Sequence, residues 1–282
     1  IALRVNPDVD PKTHPYISTG LKKNKFGIDA RSAIEGYKAA NRLQNVRIIG
    51  IDCHIGSQIT EAKPFEDALQ SLINLKNEIE KFGIKIKYLD MGGGLGIIYE
   101  DESPLHPSEY AKTIAALLKD ISFQLILEPG RVIVGNAGIL VTRVLYRKSG
   151  LKKEFVITDA GMNDLIRPSL YDAFHAVQPV VRAKETQIVA DVVGPICETG
   201  DFLAIDRKIS DVKKDDLLAV MSAGAYGFAM ASNYCSRLKV AEVMVKENQF
   251  HVIRARQQYS DLMEGESIPS FVKEGEAESE SI

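Results

Sequence analysis

Tyr88-Leu89-Asp90-Met91-Gly92-Gly93-Gly94 decides the fold: a short apolar strand runs straight into three glycines. The same pattern recurs on either side. Upstream, Val46-Arg47-Ile48-Ile49-Gly50-Ile51-Asp52-Cys53-His54 reads as a strand ending in Ile55-Gly56-Ser57. Between the two, Phe65, Leu69, Leu72, Ile73 and Ile79 fall at helical spacing and predict a helix over 64–82. Pro64 suits its first turn and Gly83 its stop. Downstream, a helix is expected over 107–118 and a strand at Gln124-Leu125-Ile126-Leu127, which ends at Glu128-Pro129-Gly130-Arg131. Strand, loop, helix and strand in this order predict parallel βα units, which gather their chemistry at the C-terminal ends of the strands.

After about residue 136 the pattern changes. Segments 139–146, 155–158, 187–193, 217–221 and 250–254 are rich in Val and Ile and are joined by turns rather than helices. They predict an antiparallel β-domain, so the fold class expected is α/β plus β. The boundaries expected are 1–136 for the βα part and 137–273 for the β-domain, with 274–282 a flexible acidic tail.

Composition narrows the function. Of 282 residues, 45% are hydrophobic and 26% charged, the balance of a soluble globular chain. A net charge of −3 argues against a nucleic-acid surface, and no apolar run is long enough to span a bilayer. Cys53, Cys197 and Cys235 are an odd, widely spaced set without a C-x-x-C pair. They are expected to be reduced thiols of a cytoplasmic protein, with neither disulfide frame nor metal site. The chain opens in mid-strand on Ile1-Ala2-Leu3-Arg4-Val5-Asn6-Pro7 without a methionine, so further residues are expected before it.

Several segments carry chemistry. Gly92, Gly93 and Gly94 let backbone N–H groups approach an anion, although any tight βα turn can look like this. The spacing is not G-x-G-x-x-G, which disfavours a dinucleotide. Glu128 at a strand end could hold a ring nitrogen protonated while Gly130 and Arg131 meet a phosphate or carboxylate; a surface salt bridge is the plainer alternative. His54 in its strand could stack on a flat ring or simply pack in the core, and Ser57 could donate to a phosphate oxygen. Arg167 and Tyr171 are four apart, so one helical turn would turn both toward a substrate carboxylate. Gly224-Ala225-Tyr226-Gly227 sets a phenol between small residues. In Gly194-Pro195-Ile196-Cys197-Glu198-Thr199-Gly200-Asp201, a thiol that can give or take a proton stands beside a carboxylate that can fix a cation. An ordinary turn remains the alternative there.

Taken together, these segments resemble the diaminopimelate decarboxylase family, in the alanine-racemase-like (fold-type III) class of pyridoxal-phosphate enzymes. The likeness runs from Arg4-Val5-Asn6-Pro7 through Thr19-Gly20-Leu21-Lys22-Lys23-Asn24-Lys25-Phe26-Gly27-Ile28 to Ser236-Arg237. Ornithine and arginine decarboxylases of the class share His54 to Ser57, the glycine triplet and Glu128 to Arg131. The segment Arg167-Pro168-Ser169-Leu170-Tyr171 favours diaminopimelate, whose second amino-acid centre needs extra carboxylate recognition.

The resemblance implies a partial (β/α)8 TIM-like barrel followed by the C-terminal antiparallel β-domain. It implies pyridoxal 5'-phosphate as cofactor, with His54 stacked on its ring and Glu128 at its pyridine nitrogen. Ser57, Gly94, Gly130 and Arg131 would bind its phosphate, Gly93 and Pro129 would also contact the cofactor, and Tyr226 would touch cofactor and substrate. Arg131, Arg167 and Tyr171 would hold carboxylates of meso-diaminopimelate, Glu198 would hold its distal ammonium, and Cys197 would return the proton after CO₂ leaves. The Cys197–Glu198 loop would reach into a neighbouring subunit, implying a homodimer with shared sites. The class anchors its cofactor on a lysine of an early barrel strand, which the resemblance puts before Ile1; Lys22, Lys23 and Lys25 are expected in a solvated loop. A different basic amino-acid decarboxylase, or a non-catalytic paralogue that regulates a partner, are the alternative functions.

Overall fold

Four parallel strands, β1 (Ala2–Arg4), β2 (Gly50–Asp52), β3 (Tyr88–Asp90) and β4 (Gln124–Ile126), pair in chain order into one sheet. The computed structural model describes residues 1–10, 25–119, 123–181 and 186–272. The strand register puts Leu3, Ile51, Leu89 and Leu125 in one row and Arg4, Asp52 and Asp90 in the next. Alternation sends these rows to opposite faces. The leucine row packs into the core under three helices, α1 (Ala30–Ala40), α2 (Lys63–Glu80) and α3 (Pro107–Leu117). The charged row faces the side where a barrel interior lies.

Local signals set the helix ends. Asp29 caps α1 by accepting from the Ser32 N–H at 3.0 Å, and His106 with Glu109 closes a capping box on α3. Gly83 ends the turn after α2 at φ +79°, a conformation that disfavours other residues. Phe65, Leu69, Leu72 and Ile79 of α2 are fully buried. Each such side chain contributes about 1.5–3 kcal/mol, against a few tenths for an i,i+4 ion pair such as Lys76–Glu80 at 2.8 Å. Packing therefore holds α2.

One expectation needs correction, and one helix was not anticipated. The segment 46–54 contributes only Gly50–Asp52 to the ladder. The N–H groups of Lys87 and Tyr88 both converge on the carbonyl of Ile49, at 2.8 and 2.9 Å, which takes 46–49 out of register. His54 thus lies two residues beyond its strand rather than in it. The helix α1 had no clear sequence signal, because its buried stripe is Ala33, Tyr37 and Ala40. Tyr37 anchors it by donating to the Gly50 carbonyl at 2.8 Å and accepting from the Leu3 N–H at 3.1 Å.

A short helix, α4 (Arg131–Val134), leads into the second part of the chain. Its strands are β5 (Leu140–Ser149), β6 (Glu154–Thr158), β7 (Val177–Pro179), β8 (Gln187–Val193), β9 (Phe202–Ser210) and β10 (Leu217–Val220), in spatial order β7-β10-β5-β6-β8-β9. All neighbours run antiparallel except β6 and β8, which are parallel. That pair is parallel because α5 (Arg167–Tyr171) and β7 are inserted between its strands in the chain. A hairpin, β11 (Glu242–Lys246) and β12 (Gln249–Arg254), and α6 (Tyr259–Leu262) follow. The fold is a partial barrel followed by a β-domain. Strands β7, β9 and β11 were not anticipated, and the strongly charged Asp206-Arg207-Lys208 inside β9 explains that case.

The two sheets meet tightly. Asn136 donates to the Ile98 carbonyl at 2.7 Å and to Ser222 Oγ at 2.8 Å. Gly138 and Gly224 approach so closely that a Cβ on Gly138 would lie 2.5 Å from the Gly224 Cα. Among the described residues no helix is long and apolar enough to cross a membrane. Lys22, Lys23 and the tail 274–282 lie outside the described residues, and Lys25 is exposed.

Candidate active site

The ends of β2, β3 and β4 meet in a cradle built from glycine. A Cβ on Gly93 would stand 2.2 Å from the Glu128 carbonyl oxygen, and one on Gly94 2.7 Å from that of Gly56. No side chain fits there, so the backbone of three strand ends closes up. The Gly93 N–H donates to His54 Nδ1 at 3.1 Å. That bond needs a lone pair on Nδ1, which puts the ring proton of neutral His54 on Nε2. Burial, with Arg4 nearby, pushes its pKa below the usual imidazole range. A neutral, oriented imidazole results. Glu128 is held at the end of β4 by its own N–H, which donates to the Gly92 carbonyl at 2.8 Å.

Beside the cradle stand two guanidinium groups with no carboxylate paired to them among the described residues. Arg131, 5% exposed, donates from Nη2 to Ser57 Oγ at 2.8 Å and from Nη1 to the Tyr99 hydroxyl at 3.1 Å. Its Nε is buried with no partner among the described residues. Arg167, 6% exposed, lies over the Tyr99 ring at 4.4 Å, and Arg131 lies 5.1 Å over the ring of Tyr226. No ion pair to either arginine is found among the described residues. A buried cation without a counter-charge is costly, and two of them sharing one tyrosine make a site for an anion. Arg167 opens α5 and Tyr171 closes it, one helical turn apart. Tyr226 holds φ +60°, an uncommon conformation for a non-glycine residue, and its hydroxyl lies 3.5 Å from where a Gly130 Cβ would stand.

Cys197 and Glu198 stand apart from this group. Both are exposed, and Glu198 accepts from the Tyr234 hydroxyl at 2.6 Å. Their loop is shaped by buried Asp201, which accepts from the N–H groups of Met162 and Ile196 at 2.6 and 2.5 Å. Ser169 of α5 donates to the Gly200 carbonyl at 2.5 Å, which ties the loop to the helix that carries Arg167. Among the described residues no hydrogen bond joins Cys197 or Glu198 to His54, Ser57 or Arg131.

Residues 1–135 match the pyridoxal binding domain of the pyridoxal-dependent decarboxylases. A crystal structure of diaminopimelate decarboxylase from Helicobacter pylori, complexed with L-lysine, superposes with a TM-score of 0.89 at 40% identity, covering 98% of this chain and 67% of that one. The chain belongs to the diaminopimelate decarboxylase family. Curated members from Aquifex aeolicus and Haemophilus influenzae are 53% and 52% identical over 94% and 95% of the chain. The chain spans 63% and 65% of the length of these two relatives.

Three residues of this family member had no signal strong enough to single them out. Tyr99 follows the glycine triplet by five positions and carries both arginines. Gln58, at φ +60°, exchanges hydrogen bonds with the Ile97 backbone at 2.6 and 3.1 Å and so fixes the loop beneath Arg131. His175, fully buried, contacts Arg167. All three act through tertiary contacts, and no local spacing in the sequence pointed to any of them.

Proposed function

We propose that this protein decarboxylates meso-2,6-diaminopimelate to L-lysine and CO₂ with pyridoxal 5'-phosphate, the last step of lysine biosynthesis, as a cytoplasmic homodimer with shared active sites. The observation that carries this is the pair of buried, uncompensated guanidinium groups on Tyr99 beside a glycine cradle. One arginine beside the cradle suits a phosphate or an α-carboxylate. A second, reached from the other domain, suits a substrate with a second carboxylate. Names of relatives at about half identity support the same substrate.

The residues present fit the cofactor. Arg131 Nε is buried with no partner among the described residues, beside strand ends too close for any Cβ, which suits an anionic group such as the cofactor's phosphate. Gly93, Gly94, Ser57, Pro129, Gly130 and Arg131 would hold its phosphate end, His54 its ring face, Glu128 its pyridine nitrogen, and Tyr226 its substrate side. When bound, the cofactor supplies the electron sink for the carbon that loses CO₂. The chain's own side chains do the rest. Arg131, Arg167 and Tyr171 bind and orient carboxylates, Glu198 holds the distal ammonium, and Cys197 Sγ delivers a proton to the carbon that CO₂ has left. Residues 1–136 form the later portion of the cofactor-binding barrel in this reading, 137–273 the β-domain that brings substrate and interface residues, and 274–282 a tail. The exposure of Cys197 and Glu198 accords with service to a partner subunit's site.

The test is product analysis with the full-length protein. Lysine and CO₂ from meso-diaminopimelate, and little from ornithine or arginine, are expected. Release of CO₂ from ornithine or arginine alone would replace the substrate, and a folded, cofactor-loaded protein inert toward all three would overturn the enzyme.

A further inference from the structure

His175 and Arg167 are eight residues apart, on either side of the end of α5, and meet in the interior at 2.8 Å between His175 Nε2 and Arg167 Nη1. His175 is 0% exposed. Its other nitrogen, Nδ1, lies 2.8 Å from the carbonyl oxygen of Met221, beyond the end of β10. A carbonyl only accepts, so Nδ1 must carry the ring proton. Nε2 of the neutral ring then has only a lone pair to offer, and an arginine only donates. The two contacts agree on one tautomer. Burial, with Arg167 and Arg207 as nearby cations, pushes the imidazole pKa down to about 4, which keeps the ring neutral near pH 7.

This arrangement does something a carboxylate could not. It fixes one edge of the Arg167 guanidinium without neutralising its charge. The Tyr99 ring supports the same group from its face, at 4.4 Å, and the His175 ring meets Tyr99 edge-on at 5.3 Å. An aspartate or glutamate in place of His175 would satisfy Arg167 and spend its affinity inside the protein. A neutral acceptor aims the arginine and leaves its charge for a ligand.

We propose that His175 is a positioning residue for substrate recognition: as the Nδ1–H tautomer, anchored on Met221, it holds the buried Arg167 guanidinium on Tyr99, oriented to receive a carboxylate of the substrate. This rests on the decarboxylase reading above and adds to it the group that sets the aim of its second arginine.

Two isosteric substitutions separate aim from mere packing. His175→Asn keeps an amide N–H near the Nδ1 position for Met221 but has no acceptor where Nε2 stood. His175→Gln puts an amide oxygen near the Nε2 position. Steady-state kinetics on the cofactor-loaded, full-length protein should show KM for meso-diaminopimelate raised on the order of tenfold in H175N with kcat changed by less than about threefold, because a ground-state carboxylate contact is loosened. H175Q should recover most of that loss. In an Arg167→Met background H175N should add nothing, since the residue it aims is gone. Equal KM for H175N and wild type overturns the proposal, as does H175Q as impaired as H175N, or full additivity with R167M. Loss in H175N seen only as a lowered melting temperature at unchanged KM assigns His175 to packing and also overturns it. Wild-type protein that releases no CO₂ from diaminopimelate overturns the decarboxylase reading and this inference with it, a pattern distinct from active wild type with insensitive variants. As a second readout, the imidazole ¹⁵N shifts of His175 should report a protonated Nδ1 and a bare Nε2 at pH 7; the reverse tautomer contradicts the geometry proposed.

Discussion

Gly93 and Cys197 stand at opposite extremes of the same proposed site, one closed by backbone and the other open to solvent. At Gly93 the limit is steric. Its Cβ would lie 2.2 Å from the Glu128 carbonyl oxygen, a main-chain atom that moves only if β4 moves. Gly93→Ala should therefore destabilise the protein by about 1–3 kcal/mol, the usual range for overpacking a tight interior, and shift the urea midpoint accordingly. An unchanged midpoint would mean that the strand ends are looser than drawn. At Cys197 the limit is chemical. The thiol is exposed, so its removal should leave the fold and the cofactor's visible absorption intact. If it delivers the proton, Cys197→Ala should slow turnover by roughly 10²-fold or more, the scale of a lost general acid. Undiminished turnover would take the proton transfer away from this residue.

At the scale of elements, the loop carrying Cys197 and Glu198 depends on a residue that does no chemistry. Asp201 gathers the N–H groups of Met162 and Ile196, and Gly161 and Gly194 leave room for it: a Cβ on either would stand 2.6 Å or less from an Asp201 carboxylate oxygen. Asp201→Ala strands both N–H groups, at about 1–3 kcal/mol for each that stays buried, and should raise amide hydrogen exchange over 194–201 more than in the flanking strands. Uniform exchange across the β-domain would show that the carboxylate is not what shapes the loop. The glycines of this arrangement were visible in the sequence; the carboxylate between them was not, because its partners are backbone groups 39 and 5 positions away. The same division runs through the fold. Helix α2 and the strand-to-glycine junctions were legible, since periodicity and Gly or Pro punctuation are local. Helix α1 was not, because an alanine stripe carries little hydrophobic contrast. The parallel pairing of β6 and β8, and the stack of Arg167, Tyr99 and His175, depend on which segments meet in space, and no local pattern records that.

At the scale of the whole molecule, charges brought together from separate strands set how stability responds to pH. Asp52 is pushed up to about 6, by burial first and then by Asp90 and Glu128, with Arg4 opposing. Arg4, Asp52, Asp90 and Glu128 come from four strands or strand ends, so unfolding disperses them and returns Asp52 to the ordinary carboxylate range. The folded state therefore binds the extra proton, and the stability linked to Asp52 is full below about pH 4 and is lost as pH rises through about 6. His175 acts in the opposite sense. Its pKa is depressed to about 4 in the folded state, so its contribution is present above the ordinary imidazole range and is lost as pH falls through 6.5 toward 4. The two slopes oppose each other across the same window and flatten the wild-type profile. Asp52→Asn removes one of them. Its melting temperature should exceed that of wild type at pH 7, and the advantage should shrink steadily as the pH is lowered from 6 to 4. Denaturation scans of both proteins across pH 4–7 decide this, and parallel curves would show that Asp52 titrates in the folded protein as it does in the unfolded chain.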